Sequence, residues 1–324
     1  MLEKTVDAPA KINLVLRIVG RRADGYHFLE SLMVPISLCD KLRIRLEHAP
    51  SPRISVSSDS DAVPVGPSNH AYRAAQLLLV AAQRNCAVGI HISKRIPMGS
   101  GLGGGSSDAA TVLLTLNRLL GEPVDLHTLT QLAAQIGSDV PFFLLGQPAQ
   151  VGGIGEQVTP VRLPAPLHMV VCFDGVPLST ALVYSGVSLD SLTTGSGLSN
   201  IATFVNGQKP ISELLMNDLE AAASQIHPAV LSLKAKLMDH GAVGALMTGS
   251  GSAVFGVWRD AHSAQAAALR LRAHGLWAHA VSTLDAPPAA SDDGRSPSGK
   301  APDFGSGIEG SNPSRPVLAG AKKS

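Results

Sequence analysis

Aromatic residues are scarce in this chain of 324 residues, at 4%, and charged residues make up only 16%. Lys and Arg number 26 against 25 Asp and Glu, a formal net charge of +1, and no basic stripe alternates with aromatics. The sequence therefore lacks the electrostatic footprint of a nucleic-acid binder. Cysteine is nearly missing too. Cys39, Cys86 and Cys172 stand far apart without paired metal-ligand spacing, which argues against a disulfide framework and suits reduced thiols in the cytoplasm. No run reaches the ~18 apolar residues of a membrane-spanning helix. The N-terminal MLEKTVDAPAKINL has no apolar stretch followed by a cleavage site. The expectation is a cytoplasmic protein that binds neither nucleic acid nor membrane, and nothing in the sequence sets its oligomeric state.

Glycine is what the sequence has in quantity, 32 residues in a chain that is 45% hydrophobic. Five glycines fall between Gly99 and Gly105, in the stretch IPMGSGLGGGSSDAA. Around it, elements follow from periodicity. Lys11–Ile18 alternates, with Ile12, Leu14, Leu16 and Ile18 on one face and Lys11, Asn13, Val15 and Arg17 on the other, a strand with one buried side. A second half-exposed strand covers Leu42, Ile44 and Leu46, and a third, Val88–Ile96, runs into the glycine loop. Helices are predicted over 71–84, 106–120 and 126–136, then 211–226, 228–240 and 261–274. Further strands are predicted around Met169–Phe173, on both sides of the TGSGSA turn and over 276–284, and 185–209 looks polar and flexible. Alternating, half-exposed strands mixed with helices predict an α+β fold. The expected domains are 1–160 and 161–285. In residues 286–324, 19 of 39 are Pro, Gly or Ser, the composition of a disordered tail.

Glycine lets backbone N–H groups approach a ligand closely, and the loop feeds a helix N-terminus whose free donors and dipole favour an anion. A phosphate chain suits both; a mobile loop with Ser106 or Ser107 merely capping the helix is the plainer alternative. Gly99, Gly101 and Gly104 satisfy G-x-G-x-x-G, yet the preceding strand alternates and no βαβ repeat surrounds it, against a dinucleotide fold. No G-K-[ST] ends the loop, and no H-R-D loop accompanies it. Asp303-Phe304-Gly305 lies in the tail and is a coincidence.

Taken together, PMGSGLGGGSSDAA, the early APAKINL (Ala8–Leu14) and the late MTGSGSAVF (Met247–Phe255) resemble the three motifs of the GHMP small-molecule kinases. RADGYH (Arg22–His27) and GSDVPFF (Gly137–Phe143) resemble members that act on a CDP-linked polyol. The resemblance spans about residues 5–285. It implies a domain like the second domain of ribosomal protein S5 plus a ferredoxin-like domain, whose last strand may return to the first. It also implies ATP-dependent phosphorylation of a hydroxyl on the methylerythritol part of the substrate. Lys11 and Asp139 match the catalytic pair, Asp139 taking the alcohol's proton and Lys11 orienting the alcohol. Alone they would read as a solvated strand lysine and a helix cap. Pro97, Met98, Gly99, Ser100, Gly101, Leu102, Gly103, Gly104, Gly105, Ser106 and Ser107 would hold the phosphates. Ser107 would also meet Mg²⁺, which phosphoryl transfer requires. Thr248, Gly249, Ser250 and Gly251 would close over them, and Asn69 would lie near adenine. Asn69's context, SNH, departs from the usual DNL. Tyr26 and His27 would contact cytosine, Tyr184 its other face, with Thr180 nearby. Asn13 would reach substrate, and Lys94 would touch substrate or nucleotide, or only solvent. Another GHMP kinase, for mevalonate, homoserine or a sugar, would not need Tyr26 and His27. A non-catalytic nucleotide binder would not need Lys11 and Asp139.

Overall fold

The first strand sets the frame. The computed structural model describes residues 1–23, 26–187 and 197–285. In it, β1 (Leu2–Arg21) and β2 (His27–His48) form a long antiparallel hairpin, from Leu2 opposite Leu46 to Arg21 opposite His27. The alternation in β1 predicts one open face, but both are covered: Lys11 and Asn13 are 3% exposed and Arg17 4%. A bulge places one extra residue, Leu14, between Asn13, opposite Met33, and the continuation of the ladder at Val15, opposite Leu32. That extra residue shifts the phase. Val15 joins Ile12 and Leu14 in one apolar cluster, while Leu16 and Ile18 join another. The grouping of Val15 with Lys11, and of Leu16 with Ile12, is corrected on this ground.

On the far side of β2 lies β4 (Cys86–Ser93), flanked by the parallel edge strand β3 (Arg53–Ser58). β5 (Ala149–Gly152) pairs with the other end of β2 and with β6 (Gln157–Pro160). Helices α1 (His70–Ala81), α2 (Gly104–Leu119), α3 (Leu126–Ile136) and α4 (Val140–Leu145) cover this sheet. Leu78, Val112, Leu116, Leu129 and Phe142 pack there with Leu42, Ile44, Ile90 and Ile92. Each such side chain contributes about 1.5–3 kcal/mol by leaving water.

The chain then passes to a second, all-antiparallel sheet in the order β11 (Trp277–Ser282), β7 (His168–Phe173), β10 (Val254–Trp258), β9 (Gly244–Met247). One face packs on α9 (Ala229–Asp239) and α10 (Ala261–Ala273) through Leu233, Leu237, Ala267 and Leu271. The other shares a cluster with β1 and β2, where Met169, Val171 and Phe255 meet Ile12, Leu14 and Ile36. Just past the last strand the chain touches β2, with Leu284 N donating to Pro35 O at 2.9 Å. The fold is α+β, as the alternating strands predict.

Between the sheets, two expectations change. The segment 185–209 is expected to be flexible, yet it follows α5 (Thr180–Ser185) and contains α6 (Gly197–Val205), whose Ile201 and Phe204 are buried. Residues 188–196 of that segment, and the tail 286–324, lie outside the described residues. The single helix expected over 211–226 is broken into α7 (Ile211–Leu214), β8 (Met216–Asn217) and α8 (Glu220–Ile226). A local bond contributes to the break: Asn217 Oδ1 accepts from Leu219 N at 2.9 Å, a side-chain bond that competes with helix. β8 joins the first sheet, parallel to β1 at Val15 and Leu16.

Candidate active site

β1 carries Lys11 into the interior, where its side chain is 4% exposed, while that of Asp139 is 35% exposed. Lys11 Nζ lies 3.7 Å from Asp139 Oδ2 and donates to Asn13 Oδ1 at 2.5 Å. Asp139 occupies the capping position of α4, but its side chain makes no capping bond. Its carboxylate is thus left for Lys11 and for whatever enters from solvent. Burial pushes the Lys11 ammonium below its ordinary pKa, and the charge of Asp139 offsets this only in part. The plainer reading of Lys11 as a solvated lysine fails, because the side chain is enclosed.

Two glycine loops meet over Lys11. Lys11 N donates to Leu102 O at 3.0 Å, and Ala253 N donates to Ser100 O at 3.0 Å, tying the first loop to β1 and to the second loop. Gly101, at φ 81°, has no room for a side chain: a Cβ would lie 2.2 Å from Thr248 O. Gly249, at φ 58°, is also crowded, with a Cβ site 2.8 Å from Gly101 O and 3.0 Å from Lys11 Nζ. Left-handed backbone and missing Cβ atoms are what allow the loops to touch. The first intrahelical bond of α2 runs from Ser107 N to Gly103 O at 2.9 Å. The amides of Gly104, Gly105 and Ser106 ahead of it are placed for an anion, with the dipole behind them.

Within the loops not every residue is available to a ligand. Ser100 is 1% exposed and donates to Pro97 O at 2.7 Å, and Leu102 is fully buried. Gly99 O accepts from Leu178 N at 3.1 Å, while Met98 is 43% exposed. Ser250 Oγ bonds Thr180 Oγ1 at 2.9 Å, and Gly251 N donates to Thr248 O at 3.0 Å. Ser107 Oγ is buried with no hydrogen-bond partner, an orphaned hard oxygen in the first turn of α2. That one oxygen fits a magnesium ion carried in on a triphosphate. Among the described residues no group of three or more His, Cys, Asp or Glu forms a metal site on its own.

Three sequence candidates are occupied by other partners. Lys94 reaches neither solvent nor open cleft; its Nζ sits 2.5 Å from Asp40 Oδ2 and 3.0 Å from Asp108 Oδ2. Asn69 caps α1, accepting from Ala71 N at 2.7 Å and donating to Pro64 O at 2.6 Å. Asn13 spends its amide on Lys11 and on Ser31 Oγ, at 2.9 Å, and its N–H on Thr248 Oγ1, at 3.1 Å.

The aromatic candidates form a different arrangement from two rings on opposite faces of a base. His27 and Tyr184 are in direct contact, with ring centroids 5.3 Å apart and planes tilted by 32°, while Tyr26 is 63% exposed. Burial and the nearby Arg21 lower the His27 pKa, leaving an imidazole that both donates and accepts. Burial, with the charge of Asp139, pushes the Tyr184 phenol up to about 12, so this ring lies within reach of the Asp139 carboxylate's field.

Sequence reasoning missed Asp40, Asn217 and His70. Asp40 is fully buried and accepts from Arg95 N and Ile96 N at 2.6 and 2.8 Å, anchoring the approach to the glycine loop. Its only signal was an acid ending an apolar run. Asn217 clamps the second loop from a strand of two residues, too short for any period to mark. His70 packs beside Gly105, its Nδ1 buried without a partner; the departure of SNH from DNL was its signal.

The profile described as GHMP kinases N terminal domain matches residues 69–147, and the one described as GHMP kinases C terminal matches residues 202–275. A 4-diphosphocytidyl-2-C-methyl-D-erythritol kinase of Geobacter sulfurreducens is 40% identical over 285 residues, covering 88% of this chain and 100% of the relative. A kinase of the same name from Thermus thermophilus is 42% identical over 282 residues, covering 86% and 97%. A crystal structure of 4-(cytidine 5'-diphospho)-2C-methyl-D-erythritol kinase is similar at a TM-score of 0.72 and 40% identity, covering 87% of this chain and 99% of that one. A homoserine kinase structure at 20% identity shares the fold, with a TM-score of 0.70. Likeness of this depth, running through both domains, makes the chain a member of the GHMP kinase family.

Proposed function

We propose that the chain transfers the γ-phosphoryl group of ATP to the 2-hydroxyl of 4-diphosphocytidyl-2-C-methyl-D-erythritol, a cytoplasmic step toward isoprenoid precursors. The acceptor is supported by relatives at 40% and 42% identity that carry this activity in their names. The observation that carries the chemistry is the open Asp139 carboxylate, 3.7 Å from a buried Lys11 beneath two touching glycine loops.

In this reading the amides at the start of α2 and the Thr248–Gly251 loop hold the triphosphate. Asp139 takes the proton of the alcohol as its oxygen attacks the γ-phosphorus and the bond to the β–γ bridging oxygen breaks, releasing ADP. A carboxylate is a weak base for an alcohol, but a loose transition state asks more for placement and charge balance than for early proton removal. Lys11 supplies that balance, and Asn13 holds Lys11. Mg²⁺ bound with the triphosphate would neutralise charge on the phosphoryl oxygens, with Ser107 as its protein oxygen. His27 and Tyr184 would take the cytosine together, the base lying across or parting their contact, with Tyr26 and Thr180 at the margin. Asn69 acts through α1, and Lys94 acts through the loop it supports.

ADP release with ATP, Mg²⁺ and 4-diphosphocytidyl-2-C-methyl-D-erythritol, run beside mevalonate and homoserine, tests the assignment. Turnover with the cytidylyl substrate alone is expected. Turnover with another alcohol would keep the kinase and discard the cytosine pocket. Silence on all three would favour a nucleotide binder without catalysis.

A further inference from the structure

A buried asparagine stands where the two sheets meet. Asn217 lies opposite Leu16 of β1 and is 8% exposed. Its Nδ2 donates to Met247 O at 2.8 Å and to Gly249 O at 2.9 Å, and its Oδ1 accepts from Leu219 N at 2.9 Å. One planar amide therefore holds both the end of β9 and the first glycine of the loop that follows. Glu220 secures the same strand end, its Oε2 accepting from Met247 N at 2.9 Å.

The place it holds is a tight part of the site. A Cβ on Gly249 would lie 2.8 Å from Gly101 O and 3.0 Å from Lys11 Nζ, so small shifts of this loop change its spacing from both. We propose that Asn217 is the positioning residue of the second glycine loop: it fixes Thr248–Gly251 against Lys11 and Gly101 and thereby sets the width of the phosphate cleft. What the cleft holds rests on the kinase reading above; the clamp itself rests on the hydrogen bonds. A carbonyl that loses a buried donor drifts toward other partners, and a loop of glycines offers little resistance.

The neighbouring residue supplies the control. Asp218 also ties β8 to β1, its N–H donating to Leu16 O at 2.9 Å and its Oδ2 accepting from Ile18 N at 2.8 Å, but neither bond reaches the loop. Asn217→Asp keeps the shape and the Leu219 bond while replacing two donors by an oxygen that repels both carbonyls. Amide hydrogen exchange over residues 248–253 of the free protein is the first readout, and calorimetric affinities for ATP and for CDP are the second. Asn217→Asp should speed exchange in the loop and weaken ATP binding, each by about 10-fold or more, with CDP binding unchanged. Asp218→Asn should lower the melting temperature without either effect. Unchanged loop exchange in Asn217→Asp would overturn the proposal, as would an Asp218→Asn variant that matches it in both readouts. If Asn217→Asp does not fold, Asn217→Ser, which keeps a single donor, decides by the same measurements. Failure of the wild type to bind ATP would defeat the kinase reading, while loop exchange would still decide the role of Asn217.

Discussion

Lys11 and Lys94 are both buried lysines beside the same glycine loop, and their surroundings are opposite. Lys94 is held by two buried carboxylates, at 2.5 and 3.0 Å. Burial alone would lower its pKa, yet Asp108 and Asp40 outweigh that and raise it. Lys11 faces one carboxylate, at 3.7 Å and open to solvent, and its pKa is lowered. A cation saturated by buried acids belongs to the scaffold. One left partly uncompensated, with its partner exposed, keeps attraction in reserve for an anionic ligand. Composition cannot separate the two, since each is a lysine preceding a glycine-rich or apolar stretch; only the count of facing carboxylates does.

The sharpest way to break this contrast is to remove the working carboxylate. Asp139→Asn should lower kcat by about 10²–10⁴-fold while the fold and ATP affinity persist, measured by ADP release and calorimetry. Loss of folding would instead assign Asp139 to capping α4. Lys94→Met should act on stability, by about 3–5 kcal/mol in chemical denaturation, because it strands Asp40 and Asp108 in the interior. Adding Asp108→Asn should recover part of that loss. If Lys94→Met folds normally and fails only to turn over, the scaffold role is wrong.

Asp108 sharpens the comparison through pH. Burial first, and the neighbouring Asp40, push its pKa up to about 7 against the attraction of Lys94, and its Oδ1 has no partner. Asp40 also accepts two backbone N–H bonds, so Asp108 is the carboxyl left to take a proton. The folded state then holds a proton that the unfolded chain releases near the ordinary carboxylate value of 3.8. Stability from this group is full below that value and is lost as pH rises through about 7. Asp108→Asn should flatten that decline in denaturation curves taken across the window; an unaltered slope would mean another group is responsible. The smallest effect falls at the pocket's edge: His27→Ala should weaken binding of the cytidylyl substrate by about 10-fold and ATP much less, by calorimetry. Equal effects would remove His27 from the cytosine pocket.

The elements with a clear period were legible in the sequence. α3 runs over Leu126–Ile136, where its apolar spacing and the closing Gly137 place it, and β4 leads into the glycine loop as its alternation implies. The enclosure of Lys11 was not legible. A period of two reports which face of a strand is apolar, not whether a second layer covers the polar face, and the bulge at Leu14 altered the phase within the strand. The Asn217 clamp was hidden for a different reason. Its segment looks helical on both sides, and the tertiary contacts with β1 and the Gly249 loop join the local Leu219 bond in selecting the extended backbone. The contact between His27 and Tyr184 links residues 157 apart in sequence, beyond any local pattern.

Phosphorus NMR of the complete reaction tests the central claim most directly, since it distinguishes transfer from hydrolysis. With wild-type protein, ATP, Mg²⁺ and the cytidylyl substrate, the account predicts ADP and a new phosphomonoester on a molecule whose diphosphate is intact, with neither formed at comparable rate by Asp139→Asn. Inorganic phosphate in place of the ester, or the same ester at an undiminished rate from Asp139→Asn, would contradict it.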